Sequence, residues 1–254
     1  MTAARLAVSA LVAVAILALL ALTAGGRLLV DALWFQQLGY FVVFRTVLQT
    51  KVAVFLLGLL IAFPWIAGFG LAAIQERRGQ VRVVLRREGN GAATIPELIA
   101  PIADRIPWRG LVGAASALLA LFFAFGQAAA WETYLLWWRG GPFGATDPIF
   151  GRDIGFYLFA VPAYRTLVGG ALAAVVLAAL VAGAVFWLQG ALDLRRSGGA
   201  IPEAALSLLS AVLAAAFLVK AFDYWLGRYE LLLEPGGTVF GAGYTSANLR
   251  MPLQ

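Results

Sequence analysis

LVGGALAAVVLAALVAGAVFWLQG, residues 167 to 190, runs without a charged side chain. A helix needs about 20 consecutive apolar residues to cross a hydrocarbon layer roughly 30 Å thick, and this stretch meets that demand. On either side of it, four more runs of the same kind lie at about 6 to 24, 52 to 74, 111 to 130 and 204 to 222. The whole chain is 62% hydrophobic and 13% charged, and an ordinary soluble domain carries about 25% charged residues. These features define an all-α membrane protein, a polytopic bundle of about five transmembrane helices with short interfacial helices. The domain plan is a transmembrane helical domain over 1 to 222 and an extracytoplasmic tail over 223 to 254.

The first run follows Arg5 and ends near Ala24-Gly25-Gly26, as a signal peptide would. Its apolar core extends from 6 to 24, longer than the 7 to 15 residues usual for a signal peptide, and it reads as an uncleaved span. Cysteine and histidine are both absent. That excludes disulfides, thiolate nucleophiles, Cys or His zinc sites and the usual proton shuttle of neutral pH. No cofactor is expected.

Net charge is +6, concentrated between residues 75 and 110, where seven arginines face four acids. In a multispanning chain such a loop is the positive-inside signal rather than a nucleic-acid surface. The expected topology is a cytoplasmic N-terminus and 75 to 110 loop, outer segments at 25 to 51 and 131 to 166, a cytoplasmic turn at Arg195-Arg196 and an outer tail. A capping box at Thr94-Ile95-Pro96-Glu97 predicts a short amphipathic helix lying on the inner leaflet. Small residues at four-residue spacing, Gly58 and Ala62, Ala174, Ala178 and Ala182, Ser207, Ala211 and Ala215, predict close helix packing in lipid. Pro64 predicts a kink in the second span.

Two places hold groups with chemical potential. DPIFGRDIGFYLFAVPAYR, Asp147 to Arg165, contains Asp147, Arg152 and Asp153 among aromatic rings. Asp147 before Pro148, and Asp153 before Ile154, read as N-caps of short helices, with Phe150, Phe156, Tyr157 and Phe159 forming an interfacial girdle. The competing reading is an outer-face enzyme using Asp147, Asp153 and Glu132 as acid and base or as cation ligands. The second place is the end of the last span. Lys220 and Asp223 are three residues apart on one helical face, and Asp223 and Arg228 are expected to meet around the following turn. They read as an interfacial anchor among Phe222, Tyr224, Trp225 and Tyr229, or as the lining of a transporter or channel path.

Four collinear stretches, Leu33 to Tyr40, Asp147 to Tyr157, Asp223 to Leu232 and Gly241 to Thr245, resemble the bacterial membrane proteins grouped as uncharacterised protein family 0182. The resemblance implies an integral plasma-membrane protein with about seven helices near its N-terminus and a large extracytoplasmic region after them. It carries no activity and no catalytic residue onto this chain, which is much shorter than that pattern. The function read from residues and resemblance together is a membrane anchor or scaffold for an extracytoplasmic module or cell-envelope partner. Its partners would be the lipid bilayer, envelope proteins or further copies of itself, with no nucleic acid. The tail offers a hairpin around Pro235-Gly236-Gly237, marginal alone in water, and the reading frame is expected to continue with two spans and an exported domain.

Overall fold

The structure, a computed structural model, describes residues 11, 22–23, 25–77, 106–189 and 203–233. Four helices among them are long and apolar enough to cross a membrane: Phe41–Ile74, Trp108–Ala129, Phe156–Leu188 and Ala205–Glu230. The protein is therefore a multi-pass, all-helical membrane protein, as far as its described residues go. The expected first span, 6 to 24, falls almost entirely outside them. So do the capping box at Thr94, the Arg195-Arg196 turn and nearly all of the tail hairpin.

The chain falls into two compact units, Met1–Val52 and Ala53–Gln254. In the first, helix α1 covers 25–37. It ends in a Schellman turn: Gly39 takes φ +77°, its N–H reaches the Gln36 carbonyl, and the Tyr40 N–H reaches Phe35. A left-handed residue at that position is best supplied by glycine. Helix α2, Phe41–Arg77, comes at once after it. Residues 25 to 51, expected as an outer loop, are thus mostly helical. Thr46 and Thr50 send their hydroxyls back to the carbonyls four residues earlier, so polar side chains there are satisfied without breaking the helix. The helix also continues through Pro64.

In the second unit, α2 buries Gly58, Ala62, Ile66, Gly70 and Ala73. Helix α3, Trp108–Ala129, buries Val112, Ser116, Ala120 and Ala124. Both sets repeat every three or four residues, so each is one face of a helix. A methyl added at Gly58 would lie 3.4 Å from the Ala124 Cα, and one at Gly70 would lie 2.6 Å from Val112. The two faces therefore meet antiparallel. The same methyl at Gly70 would also press on Val181 at 2.7 Å, which belongs to helix α5, Val161–Leu188. Gly70 is where three helices converge. Ala178 and Ala182 of the expected small-residue stripe are buried on α5. Of the stripe expected on helix α6, Glu203–Glu230, Ser207 and Ala211 are exposed and Ala215 is half-buried.

Between α3 and α5 lies the short helix α4, Trp131–Arg139. It is tied back to α3 by the Tyr134 hydroxyl, which donates to Gln127 Oε1 at 2.6 Å. The span expected from 167 begins much earlier. Helical structure starts at Ile154, and Phe156–Ala160 is a π-helix leading into α5. Pro162 explains the π-turn: lacking an N–H, it removes the ordinary bond to Leu158, and the Val161 N–H instead bonds to the Phe156 carbonyl five residues back. Asp153 thus precedes the long span itself and not a separate short helix.

Gly70→Ala is expected to lower the unfolding free energy by about 1–3 kcal/mol, the usual cost of overpacking a filled core. Gly58→Ala should cost clearly less. Thermal unfolding in mild detergent gives the order, and the reverse order would contradict this packing.

Candidate functional site

The loop from 140 to 155 folds around its two carboxylates. Asp147 Oδ1 accepts from the N–H groups of Ile149 (2.8 Å) and Phe150 (2.7 Å), and Oδ2 accepts from the Arg152 N–H (3.0 Å) and the Tyr157 hydroxyl (2.7 Å). Asp147 thereby caps a single turn that begins at Pro148 and closes at Gly151, whose φ of +63° favours glycine. Asp153 accepts from the N–H groups of Phe143 and Gly144, both at 2.9 Å, and of Gly155 at 2.6 Å. An isolated antiparallel bridge joins Thr146 to Asp153.

Both carboxyl groups are held below the ordinary aspartate range. Burial works against ionisation of Asp147, but the Tyr157 hydroxyl and the N–H groups of Phe150, Arg152 and Ile149 outweigh it. For Asp153 the N–H groups of Phe143 and Gly155 dominate, opposed by slight desolvation and helped by Gly144. Two donors occupy each oxygen of Asp147, so a role for it as proton carrier or cation ligand would have to break one of these bonds, whereas Asp153 Oδ2 accepts from Gly144 alone among the described residues. Glu132 sits in the first turn of α4, and among the described residues it does not join Asp147 and Asp153 in a three-carboxylate cluster.

The second group gathers where the start of α5 meets the end of α6. Arg165 uses its Nε and Nη2 on the two oxygens of Glu230 and its Nη1 on Asp223. Lys220 bonds the other oxygen of Asp223. The fork of a guanidinium against a carboxylate is the geometry that arginine makes and lysine cannot. Asp223 is the least exposed member, at 18% of its side chain.

Asp223 does not meet Arg228, contrary to expectation. The helix does not stop at 222; it runs through Glu230, so residues five apart point to different faces. Asp223 turns to Arg165, whereas Arg228 stacks over Tyr229 (4.8 Å), Trp225 (4.9 Å) and Phe150 (5.8 Å). Its Nη2 donates to the Tyr229 hydroxyl at 2.9 Å, and its buried Nε has no partner among the described residues.

An aromatic cluster joins the two groups. Tyr157, Val161, Leu226 and Tyr229 are buried together, with Phe150, Phe156, Tyr164 and Trp225 packed around them. Tyr229 touches the rings of Phe150 (4.9 Å) and Phe156 (5.1 Å). Arg152 lies over Phe156 at 5.5 Å. Loop, π-turn and the end of α6 therefore form one unit that holds Asp147, Arg152, Asp153, Lys220, Asp223 and Arg228.

Arg165 and Glu230 were not singled out from the sequence, and Tyr157 and Tyr229 were read only as members of the interfacial aromatic belts. One signal was available: Glu230 follows Asp223 by seven residues, two helical turns, so on a continued helix the two carboxylates share a face and call for a cation opposite.

The sequence pattern of a family described as Uncharacterised protein family (UPF0182) matches residues 8–254. The chain belongs to that family. A UPF0182 protein of Cupriavidus necator is 35% identical over 244 residues, covering 94% of this chain and 25% of the relative. A relative from Bradyrhizobium diazoefficiens is 35% identical over 253 residues, 97% of this chain and 27% of its own. One from Mycobacterium ulcerans is 38% identical over 249 residues, 95% and 24% respectively. The chain thus spans about a quarter of the length of these UPF0182 relatives. No solved structure matches it.

Two outcomes test the loop. Asp147→Ala should cost about 1–2 kcal/mol of local stability as a lost cap. Asp147→Asn should fall between wild type and Ala, because its amide keeps the Oδ1 bonds but opposes the Arg152 N–H. Amide exchange at Phe150 and Arg152 reads the order, and an Asn variant as exposed as Ala would contradict it. In pH, the folded carboxyls sit below their unfolded value of 3.8. The contribution of both caps is therefore present above that value and is lost as pH falls through the lower folded pKa. Loop protection that increased on acidification below pH 3.8 would reverse this sign.

Proposed function

We propose that the chain is the membrane anchor of an extracytoplasmic module or cell-envelope partner, in a bacterial plasma membrane. The N-terminus and the 75 to 110 loop are cytoplasmic, and the end of α6 is outside. The observation that supports this reading most is the fastening of that end. Arg165 ties Asp223 and Glu230 to α5, and Tyr229 packs against Phe150 of the capped loop and Phe156 of the π-turn. A flexible tether needs none of this. A helix that must present an attached module at a fixed height and angle does.

A second reading has its own observation. Arg165 stands within the span Phe156–Leu188, and ionisable groups at membrane level are default functional candidates. In a transport component, Arg165, Lys220 and Asp223 would line a path.

Topology is tested with single cysteines, which the cysteine-free chain makes unambiguous. In intact cells Gly141→Cys should react with an impermeant thiol reagent and Gly89→Cys should not. Labelling at Gly89 with protection at Gly141 would invert the orientation. Function is tested in the full-length family protein. A photo-crosslinker beyond α6 should capture one envelope partner, and Tyr229→Ala should abolish that capture while insertion persists. Proteoliposome ion flux removed by Lys220→Ala would establish the transport reading instead.

A further inference from the structure

Helix α6 carries a stripe that the anchor reading leaves unused. Leu213, Phe217, Lys220, Tyr224 and Arg228 succeed one another at spacings of four, three, four and four, so they rise along one side of the helix. Its first part is apolar and open: Leu213 is 47% exposed and Phe217 71%. Its second part is polar. The Lys220 ammonium lies 5.2 Å from the centre of the Tyr224 ring, and Tyr224 is 61% exposed.

Lysine has three N–H donors, and the Lys220 hydrogen bond described goes to Asp223 alone. Arg165, Lys220 and Arg228 stand against Asp223 and Glu230 at this helix end, and the ion pairs described leave Arg228 without a carboxylate. Among these five side chains the balance is one positive charge. Along a membrane-crossing helix, an apolar track ending in an ammonium, a phenol and a guanidinium that has no carboxylate among the described residues matches a phospholipid, whose acyl chains and phosphate are joined through glycerol. Lysine and tyrosine favour that level of the bilayer because their stems lie in the apolar layer and their heads in the polar one.

We propose that this stripe binds an anionic phospholipid of the surrounding bilayer. Its phosphate is held by Lys220 Nζ and Tyr224 Oη under the field of Arg228, and an acyl chain lies along Phe217 and Leu213. Free phosphate would gain nothing from the apolar half, and a zwitterionic lipid would bring a cationic headgroup against the positive charge of the site.

The test uses the chain in nanodiscs of dioleoylphosphatidylglycerol and dioleoylphosphatidylcholine in equal amounts, with retained lipid counted by native mass spectrometry after gentle release. The wild type should retain phosphatidylglycerol in preference to phosphatidylcholine. Lys220→Gln should reduce that preference about fivefold, the effect of one interfacial cation. Lys220→Arg should restore it, and Arg139→Gln on α4 should leave it unchanged. Tyr224→Phe, which keeps the ring, should lower it to a smaller extent and decides the matter if Lys220→Gln does not fold. Equal retention of both lipids by the wild type would overturn the proposal. So would an unchanged preference in Tyr224→Phe together with any folded Lys220→Gln.

Discussion

The guanidinium of Arg165 is shared between two carboxylates of another helix, and the arrangement of the α5–α6 end rests on that bond set. A charge on a membrane-crossing helix is costly unless it is paired. Arg165 is paired three times over, by a two-toothed contact to Glu230 and a single one to Asp223. Because Asp223 and Glu230 lie two turns apart on one face of α6, one cation facing both fixes rotation and height of α6 against α5 together. Lys220 then takes the remaining oxygen of Asp223.

The aromatic cluster and the capped loop depend on that register. Leu226 and Tyr229 lie between the two carboxylates in sequence, so the rotation that presents Asp223 and Glu230 to α5 also carries these two inward. Tyr229 then finds Phe150 from the loop and Phe156 from the π-turn. The loop can supply Phe150 at that place because Asp147 and Asp153 hold its backbone. Tyr157 closes the circuit: its ring is buried in the cluster and its hydroxyl bonds Asp147. The membrane part below is held differently, by small residues such as Gly58 and Gly70 that let helix axes approach.

The membrane class and the family were legible in the sequence, because apolar runs and collinear motifs are local properties. Trp108–Ala129 lies close to the expected 111 to 130. Boundaries were less legible wherever a charge or a turn residue stood near a helix end. Arg45 and Lys51 made the second span read as starting at 52, yet α2 begins at Phe41. Arg165 and Pro162 made the fourth read as starting at 167, yet the helix absorbs Pro162 through a π-turn. Asp223 and Arg228 made the last read as ending at 222, yet α6 reaches Glu230. For Arg165 and Asp223 the charge is tolerated inside the helix because the facing helix satisfies it. Such a partner, fifty-eight or sixty-five residues distant for Arg165, leaves no mark on a local window. The capping of Asp147 was readable because its partners are adjacent; its bond to Tyr157 was not.

Charge exchange tests the central bond most directly. Unfolding free energies in lipid bicelles would be compared for Arg165→Glu, Glu230→Arg and the two combined. If Arg165 and Glu230 set the register of α5 and α6, each single change should destabilise the protein and the double exchange should recover most of the loss. A double variant as unstable as the sum of the singles would show that the two helices are held by something else.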